Sequence, residues 1–194
     1  VGVRYHILDY VDDVLRVADH LGWENFSLIG HSMGAGIASY VAAVASERVV
    51  KLILIDGIGT LTTAAEEAPN LLAESIKDMK REGQTRLTVY SDMDDAVRAR
   101  QRAVGIISSE AAAILCQRGI KQVANGYVWK TDPKLRMASA MRLTENMVES
   151  FLKRIKASVL LLTGRDSFFQ FPELFANRID CVKEIEIEEM EGGH

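Results

Sequence analysis

The sequence predicts an α/β fold in which a mostly parallel sheet carries helices on both faces and a helical segment is inserted between two sheet-forming parts. Three observations carry this prediction. Apolar runs at 49–55 and 157–163 are nearly continuous, which is typical of strands buried on both faces of a parallel sheet. A strand–helix–strand pattern covers 26–55 and implies a right-handed crossover. Between 60 and 156, amphipathic helical patterns replace most of the strand-like ones.

The first part of the chain alternates helix and strand. A helical apolar period covers 5–22 and ends at Gly22, a residue that commonly terminates helices. An apolar strand follows at about 26–30, and a run of small and apolar residues predicts a buried helix to about Ser46. The strand at 49–55 completes this unit.

The inserted segment reads as a series of helices, most of which begin after a serine or threonine that can cap the free N–H groups of a first turn. We expect it to form a cap over an active site, so that the core comprises residues 1–59 and 157–194 and the cap residues 60–156. The predicted cap helices cover 71–79, 91–103, 111–117 and 144–155.

The sheet resumes after the insertion. A buried strand is predicted at 157–163, followed by a turn and a short helix at 171–179 with a proline near its start. From 182 to 190, isoleucines alternate with glutamates, which predicts a half-exposed strand near the edge of the sheet.

Composition and charge exclude several classes of protein. The chain has 194 residues, of which 48% are hydrophobic and 26% charged, as in an ordinary globular protein. Its net charge of −4 disfavours a nucleic acid or an anionic membrane as a partner, because both attract a basic face. No apolar run approaches the roughly 20 residues that span a bilayer.

The two cysteines, Cys116 and Cys181, are far apart and lie outside any Cys-x-x-Cys pair or histidine cluster. We expect them to be buried free thiols rather than a disulfide or zinc ligands, which favours a reducing compartment and hence a cytoplasmic protein. No signal peptide and no metal site are predicted.

The run Gly30-His31-Ser32-Met33-Gly34 carries most of the chemistry. It places a serine on a sharp turn between strand and helix, where a hydroxyl can be exposed and activated as a nucleophile. The two glycines lack a Cβ and should let strand and helix approach closely. The backbone N–H of Met33, at the positive end of the helix, is the expected oxyanion donor. The alternative is a glycine-containing turn with an incidental serine.

A nucleophilic serine needs a base and an acid that orients the base. Asp166 follows the strand at 157–163, and His194 follows the next strand after two glycines. Both should therefore reach the same edge of the sheet as Ser32. We expect His194 to act as the base and Asp166 as the acid. Asp56, which ends the strand at 49–55 at the same edge, is the alternative acid.

Simpler roles remain open for each of these residues. Asp166 could cap the following helix, Asp56 could cap the following glycine-containing turn, and His194 could have no role. The other histidines are weaker candidates for the base. His31 adjoins Ser32 but should point elsewhere, and the remaining two, in or beside the first helix, are expected at the surface: His6 and His20.

Four segments together resemble the α/β-hydrolase superfamily, and the resemblance covers the whole chain. Within the insertion, three further runs are similar to the serine hydrolase-like protein group. The superfamily segments are 30–34, 52–56, 160–166 and 192–194, and the group-specific runs are 115–119, 126–129 and 132–135.

The resemblance implies parts of the family fold that this sequence does not contain. The family has strands before the nucleophile strand, a His-Gly loop that supplies a second oxyanion N–H, and a helix after the catalytic histidine. We therefore expect an incomplete version of the family fold, with 1–5 corresponding to the approach to the first helix.

The expected activity is hydrolysis of a carboxylic ester or thioester through an acyl-Ser32 intermediate, with a small-molecule substrate and no cofactor. A serine at this turn separates the chain from dehalogenases and epoxide hydrolases of the same fold, which use an aspartate there. Two alternatives stay open: hydrolysis of a carbon–carbon bond or acyl transfer by the same residues, and a ligand-binding protein without catalysis. The oligomeric state is not predicted.

Overall fold

The computed structural model describes residues 5–81, 87–103, 107–167 and 172–194. Its helices are α1 Asp9–His20, α2 Met33–Val44, α3 Ala68–Arg81, α4 Met93–Ala103, α5 Ser109–Gly119, α6 Glu145–Leu152 and α7 Pro172–Ile179. Its strands are β1 Phe26–His31, β2 Val49–Ile55, β3 Ile120–Val123, β4 Gly126–Trp129, β5 Ser158–Gly164 and β6 Ile185–Met190. The helix predicted at 171–179 is present from Pro172, and Phe171 lies outside the described residues.

Four strands form one parallel sheet in the order β1-β2-β5-β6. The register places Ile53 of β2 between Ile29 of β1 and Leu160 of β5. The continuous apolar runs of β2 and β5 therefore lie at the centre of the sheet, and the alternating Ile/Glu strand β6 lies at an edge. The α/β fold with a mostly parallel sheet is confirmed.

The main core forms where α2 packs on β1 and β2. Nine residues of α2 are buried, most of them small, so the helix lies close to the sheet. Tyr40 fills the space that these small residues leave, and its ring packs against Phe151 with centroids 4.7 Å apart. Burying an apolar side chain of this core stabilises the fold by about 1.5–3 kcal/mol.

The helix α6 also joins this core, although it lies within the predicted cap range of 60–156. Val148 and Leu152 are fully buried there, and Ile155 follows them into the same cluster. The residues before α6 are arranged differently. A second cluster, separate from the main core, joins α4 and α5 through Ala96, Val97, Ala112, Cys116 and Ile120.

An antiparallel hairpin of β3 and β4 packs against this second cluster. The hairpin was not predicted from the sequence. Ile120 pairs with Trp129 and Val123 with Gly126. Each strand has only four residues, too few to show an alternating pattern. The informative signal was Asn125-Gly126, a dipeptide that favours tight hairpin turns. Gly126 has φ 134°, a conformation that other residues rarely adopt.

The two cysteines are both free thiols, with Cys116 buried and Cys181 partly buried. Across the described part of the chain, no helix combines the length and the apolar character that crossing a membrane requires.

Candidate active site

Ser32 occupies the sharp turn between β1 and α2. Its backbone has φ 55° and ψ −119°, a strained conformation for a residue with a side chain. Two backbone hydrogen bonds hold the turn. The Ser32 N–H donates to the carbonyl of Ile55 in β2 at 2.9 Å, and the Ser32 carbonyl accepts from the Ala35 N–H at 3.0 Å. The side chain is thus fixed at the end of β1 rather than within the sheet.

The glycines near Ser32 have different structural roles. A Cβ on Gly30 would lie 2.3 Å from the carbonyl oxygen of Gly34, so only glycine fits at that position. The expectation that Gly34 serves the same purpose is wrong, because a Cβ there would meet nothing within 4 Å. The second close approach is at Gly36, where a Cβ would lie 2.6 Å from the Gly59 carbonyl oxygen.

The structure brings Ser32, His194 and Asp56 into one hydrogen-bonded line, and we call these three residues the trio. His194 Nε2 lies 2.8 Å from Ser32 Oγ, and His194 Nδ1 is hydrogen-bonded to Asp56 Oδ2. The side chains of His194 and Asp56 are only 9% and 5% exposed. With its proton on Nδ1, the neutral imidazole donates to Asp56 and accepts from the Ser32 hydroxyl, as a general base requires.

Asp56 is held by several groups at once. Its φ is 53°, and it and Ser32 are the two non-glycine residues with positive φ in the described part of the chain. Its carboxylate accepts from Ser167 Oγ at 2.5 Å and from the Gly164 N–H at 3.3 Å. Burial raises the pKa of the Asp56 carboxyl, but the hydrogen bonds from Ser167, His194 and Gly164 outweigh burial and leave the pKa below its ordinary value. Asp56 is therefore a carboxylate at neutral pH.

Asp166, the expected acid, does not occupy this place. It is exposed, and its backbone N–H donates to the Gly192 carbonyl at 3.0 Å. The strand order explains this placement. Because β2 lies between β1 and β5, the residue that ends β2 is the nearer one to Ser32. The turn after β5 contributes the next residue instead, Ser167, whose hydroxyl reaches Asp56.

The other histidines lie near the site in different ways. His31 is exposed, its Nε2 donates to the His194 carbonyl at 2.8 Å, and the two rings are 4.7 Å apart. His6, which we expected at the surface, is half-buried and lines the cavity beside Ser32, where its Nδ1 accepts from the Leu8 N–H at 3.3 Å. His20 is exposed.

A cavity of about 300 Å³ opens beside Ser32. This volume lies at the small end of the range for ligand pockets. One wall is the segment that follows β2, with Ile58 and Leu61. Another part of the lining comes from the segment before α6 and includes Ser139, Met141, Arg142 and Leu143.

A buried arginine holds the wall that follows β2. Arg178 of α7 is 3% exposed, and its Nη1 and Nη2 donate to the carbonyls of Ile58 and Thr60 at 2.7 and 2.9 Å. The same guanidinium donates to both carboxylate oxygens of Glu145 at 2.7 and 2.8 Å, and these hydrogen bonds lower the pKa of Glu145. Tyr40 adds a hydrogen bond to Thr60 Oγ1 at 2.6 Å. Neither Arg178 nor Ser167 was identified from the sequence, because each acts through spatial neighbours far away in the chain.

The backbone N–H of Met33 lies at the N-terminus of α2, directly after Ser32. Met33 is the first residue of α2, so its N–H has no acceptor within the helix. Within the described ranges, no group of three or more His, Cys, Asp or Glu side chains is arranged to hold a metal ion.

The first half of the chain matches a known family. A family model described as alpha/beta hydrolase fold matches residues 3–94. A serine hydrolase-like protein of Danio rerio is 29% identical over 187 residues, which cover 92% of this chain and 56% of that protein. The chain thus spans a little more than half the length of the curated relatives it matches.

Two crystal structures show how closely the fold is shared. A hypothetical protein of Pseudomonas aeruginosa PAO1 is 39% identical with a TM-score of 0.93, and the match covers 100% of this chain and 68% of that one. The thioesterase domain from the curacin biosynthetic pathway is 25% identical with a TM-score of 0.80, over 98% of this chain and 67% of that one.

Proposed function

This chain belongs to the α/β-hydrolase family, and from that premise we propose that it is a serine hydrolase that cleaves carboxylic ester or thioester bonds through an acyl-Ser32 intermediate. The observation that carries the proposal is the 2.8 Å hydrogen bond between Ser32 Oγ and His194 Nε2, with Asp56 on the other ring nitrogen. The similarity to serine hydrolase-like proteins and to a thioesterase domain supports the same class of reaction.

In the proposed reaction, Ser32 Oγ attacks the substrate carbonyl while His194 Nε2 takes the hydroxyl proton. The imidazolium that forms is stabilised by the Asp56 carboxylate, and the Met33 N–H donates to the developing oxyanion. His194 then returns its proton to the departing alcohol or thiol, which leaves Ser32 acylated. A water molecule, deprotonated by His194, attacks the acyl group, and the carboxylic acid leaves as Ser32 regains its proton.

We assign the acid's role to Asp56 rather than to Asp166. The hydrogen bond to His194, the burial and the lowered pKa of Asp56 support this assignment. Aspartate in this role keeps the imidazole in the correct tautomer and stabilises its charged form. The exposed carboxylate of Asp166 has neither property.

We also propose that residues 60–156 act as a cap for a small-molecule substrate. Support comes from the cavity, one wall of which belongs to this segment and includes Met141 and Leu143. A cap of this kind excludes water from the reacting groups and strengthens their electrostatic interactions. The cytoplasmic location stays a prediction that rests on the free cysteines.

The test compares Ser32→Ala with Ser27→Ala, an exposed serine on the same strand. In the full-length protein, we expect the wild type and Ser27→Ala to hydrolyse p-nitrophenyl butyrate and to react with a fluorophosphonate probe. Ser32→Ala should lose the labelling and at least about 10⁴-fold in kcat, since removal of a nucleophile abolishes the covalent route. Equal turnover by Ser32→Ala would overturn the proposal. Saturable binding without turnover by any variant would instead favour the non-catalytic alternative.

A further inference from the structure

The cavity beside Ser32 contains one charged side chain that no described neighbour neutralises. Among the Asp, Glu, Lys and Arg residues in the described ranges, Asp56, Arg142 and Arg178 line the cavity. Asp56 is paired with His194, and Arg178 is paired with Glu145. Arg142 forms no hydrogen bond or ion pair with any residue that the structure describes.

The backbone fixes where Arg142 is attached. The next residue, Leu143, accepts a hydrogen bond through its carbonyl from the Thr63 N–H at 3.1 Å. Two residues later, Glu145 begins α6 and pairs with the buried Arg178. Arg142 therefore starts from a segment that is anchored on both sides, and its exposed side chain lines the cavity.

The rest of the lining makes this charge significant. Most of the surface of the cavity is apolar, and its lining includes the almost fully buried Ile58 and the half-buried Leu143. The guanidinium of Arg142 is exposed to water, but an anion held in the cavity would lie between it and these apolar walls, where charges are screened less than in open water. A guanidinium also matches a carboxylate in shape and can donate two parallel hydrogen bonds to it.

We propose that Arg142 is a specificity-determining residue that binds a carboxylate of the substrate, so that this protein prefers small esters or thioesters bearing a second, anionic group. The inference rests on the proposed function, because it concerns the substrate of the Ser32 site. The carboxylate can belong to the acyl part or to the alcohol part of the ester. The volume of about 300 Å³ favours a short substrate.

The experiment uses charged esters and their neutral amide counterparts, which differ only in the anionic group. For the acyl side, the pair is the monoethyl ester of glutaric acid and ethyl 4-carbamoylbutanoate. For the alcohol side, the pair is 3-(butanoyloxy)propanoic acid and its primary amide. The inference predicts that the wild type prefers the charged member of one pair, and the pair that shows the preference identifies the side that carries the carboxylate.

Variants then assign the preference to Arg142. We expect Arg142→Ala to lower kcat/KM for the favoured charged ester by about 10- to 100-fold, as for the loss of a hydrogen bond to a charged group. The amide should change less than about threefold, and Arg142→Lys should restore part of the preference because it keeps the charge. The matched control is Arg136→Ala, an exposed arginine of the preceding segment that does not line the cavity, and it should match the wild type. No preference in either pair, or equal losses for charged and neutral esters in Arg142→Ala, would overturn the inference.

Binding to an inactive variant separates this inference from the proposed function. Titration calorimetry with 4-carbamoylbutanoate and with glutaramide, its neutral diamide counterpart, can be carried out on Ser32→Ala and on the double variant with Arg142→Ala. Tighter binding of the anion that disappears in the double variant supports the Arg142 site even if no ester is hydrolysed. If esters are hydrolysed in a Ser32-dependent way but binding is insensitive to Arg142, the proposed function stands and the Arg142 site falls.

Discussion

The turns that follow β2 and β5 have the same place in the fold but carry different aspartates. We call residues 56–60 the β2 turn and residues 164–167 the β5 turn. The β2 turn begins with Asp56, which is buried, has a positive φ and is hydrogen-bonded to His194. The β5 turn carries Asp166 in the solvent and supplies Gly164 and Ser167 as donors to Asp56. The β5 turn therefore stabilises the carboxylate of Asp56 in the β2 turn.

The two turns are also anchored differently. Arg178 holds the β2 turn through two backbone carbonyls, and it is itself buried and paired with the half-buried Glu145. Within the β5 turn, Arg165 pairs with Glu189 at 3.0 Å, but these side chains are 59% and 55% exposed. Arg178 and Arg165 differ in their access to solvent. Buried polar groups must be fully paired, whereas exposed groups can exchange partners with water. The comparison indicates that burial and hydrogen bonding to His194, rather than a position at the end of a strand, distinguish Asp56 from Asp166.

The largest effect is expected when each of the two aspartates is replaced in turn. Asp56→Asn should lower kcat for p-nitrophenyl butyrate by about 10⁴-fold, because the amide leaves His194 in the wrong tautomer without a charge to stabilise its protonated form. Asp166→Asn should stay within about threefold of the wild type, since its carboxylate is exposed. Steady-state kinetics on the two purified variants measures both. A larger loss in Asp166→Asn than in Asp56→Asn would reverse our assignment.

The next largest effect concerns Arg178 and Arg165, the arginines that anchor the two turns. It is measured as a change in the free energy of unfolding. Arg178→Ala should lower the free energy of unfolding by about 3–5 kcal/mol, because it removes the buried donor of the Ile58 and Thr60 carbonyls and leaves the half-buried Glu145 without its partner. Arg165→Ala removes the exposed ion pairs with Glu189 and Glu191 and should cost only about 0–1 kcal/mol. Urea unfolding followed by circular dichroism gives both values. Similar losses in the two variants would mean that the anchors do not differ as the structure indicates.

The sequence predicted the core more completely than the site. The continuous apolar runs of β2 and β5 identify buried parallel strands, and the short strand–helix–strand unit from β1 to β2 implies a right-handed crossover. The location of Ser32 follows from the turn motif itself. These features are local, because each depends on residues that are neighbours in the chain.

The features that were missed depend on which strands become neighbours. Both aspartates follow strands whose ends meet at one sheet edge, so the sequence left Asp56 and Asp166 as alternatives. Only the order β1-β2-β5 and the burial of the β2 turn separate them. The positive φ of Asp56 is likewise a property of the assembled fold, since aspartate does not require that conformation. The β3–β4 hairpin was missed for a local reason, the brevity of its strands.

The smallest effect tests whether the β5 turn stabilises the acid through Ser167. Ser167→Ala removes a donor to a buried carboxylate, and we expect a loss of about 1.5–3 kcal/mol in the free energy of unfolding at pH 7. The folded pKa of Asp56 lies below its ordinary value, so this stabilisation is present above about pH 4 and is lost as the pH falls through the folded pKa. The difference between wild type and variant should therefore shrink when unfolding is repeated at progressively lower pH.

A matched control separates this effect from any serine–carboxylate contact. Ser158 donates to Glu184 at 2.7 Å, but both residues are exposed. Ser158→Ala should change stability by less than about 0.5 kcal/mol at pH 7, as surface substitutions usually do. If Ser167→Ala were equally mild, or if its cost persisted unchanged below the folded pKa of Asp56, the Ser167 hydroxyl would not be stabilising the charged acid. A pH-dependent loss confined to Ser167→Ala would mean that the β5 turn contributes its hydroxyl, rather than its carboxylate, to the site.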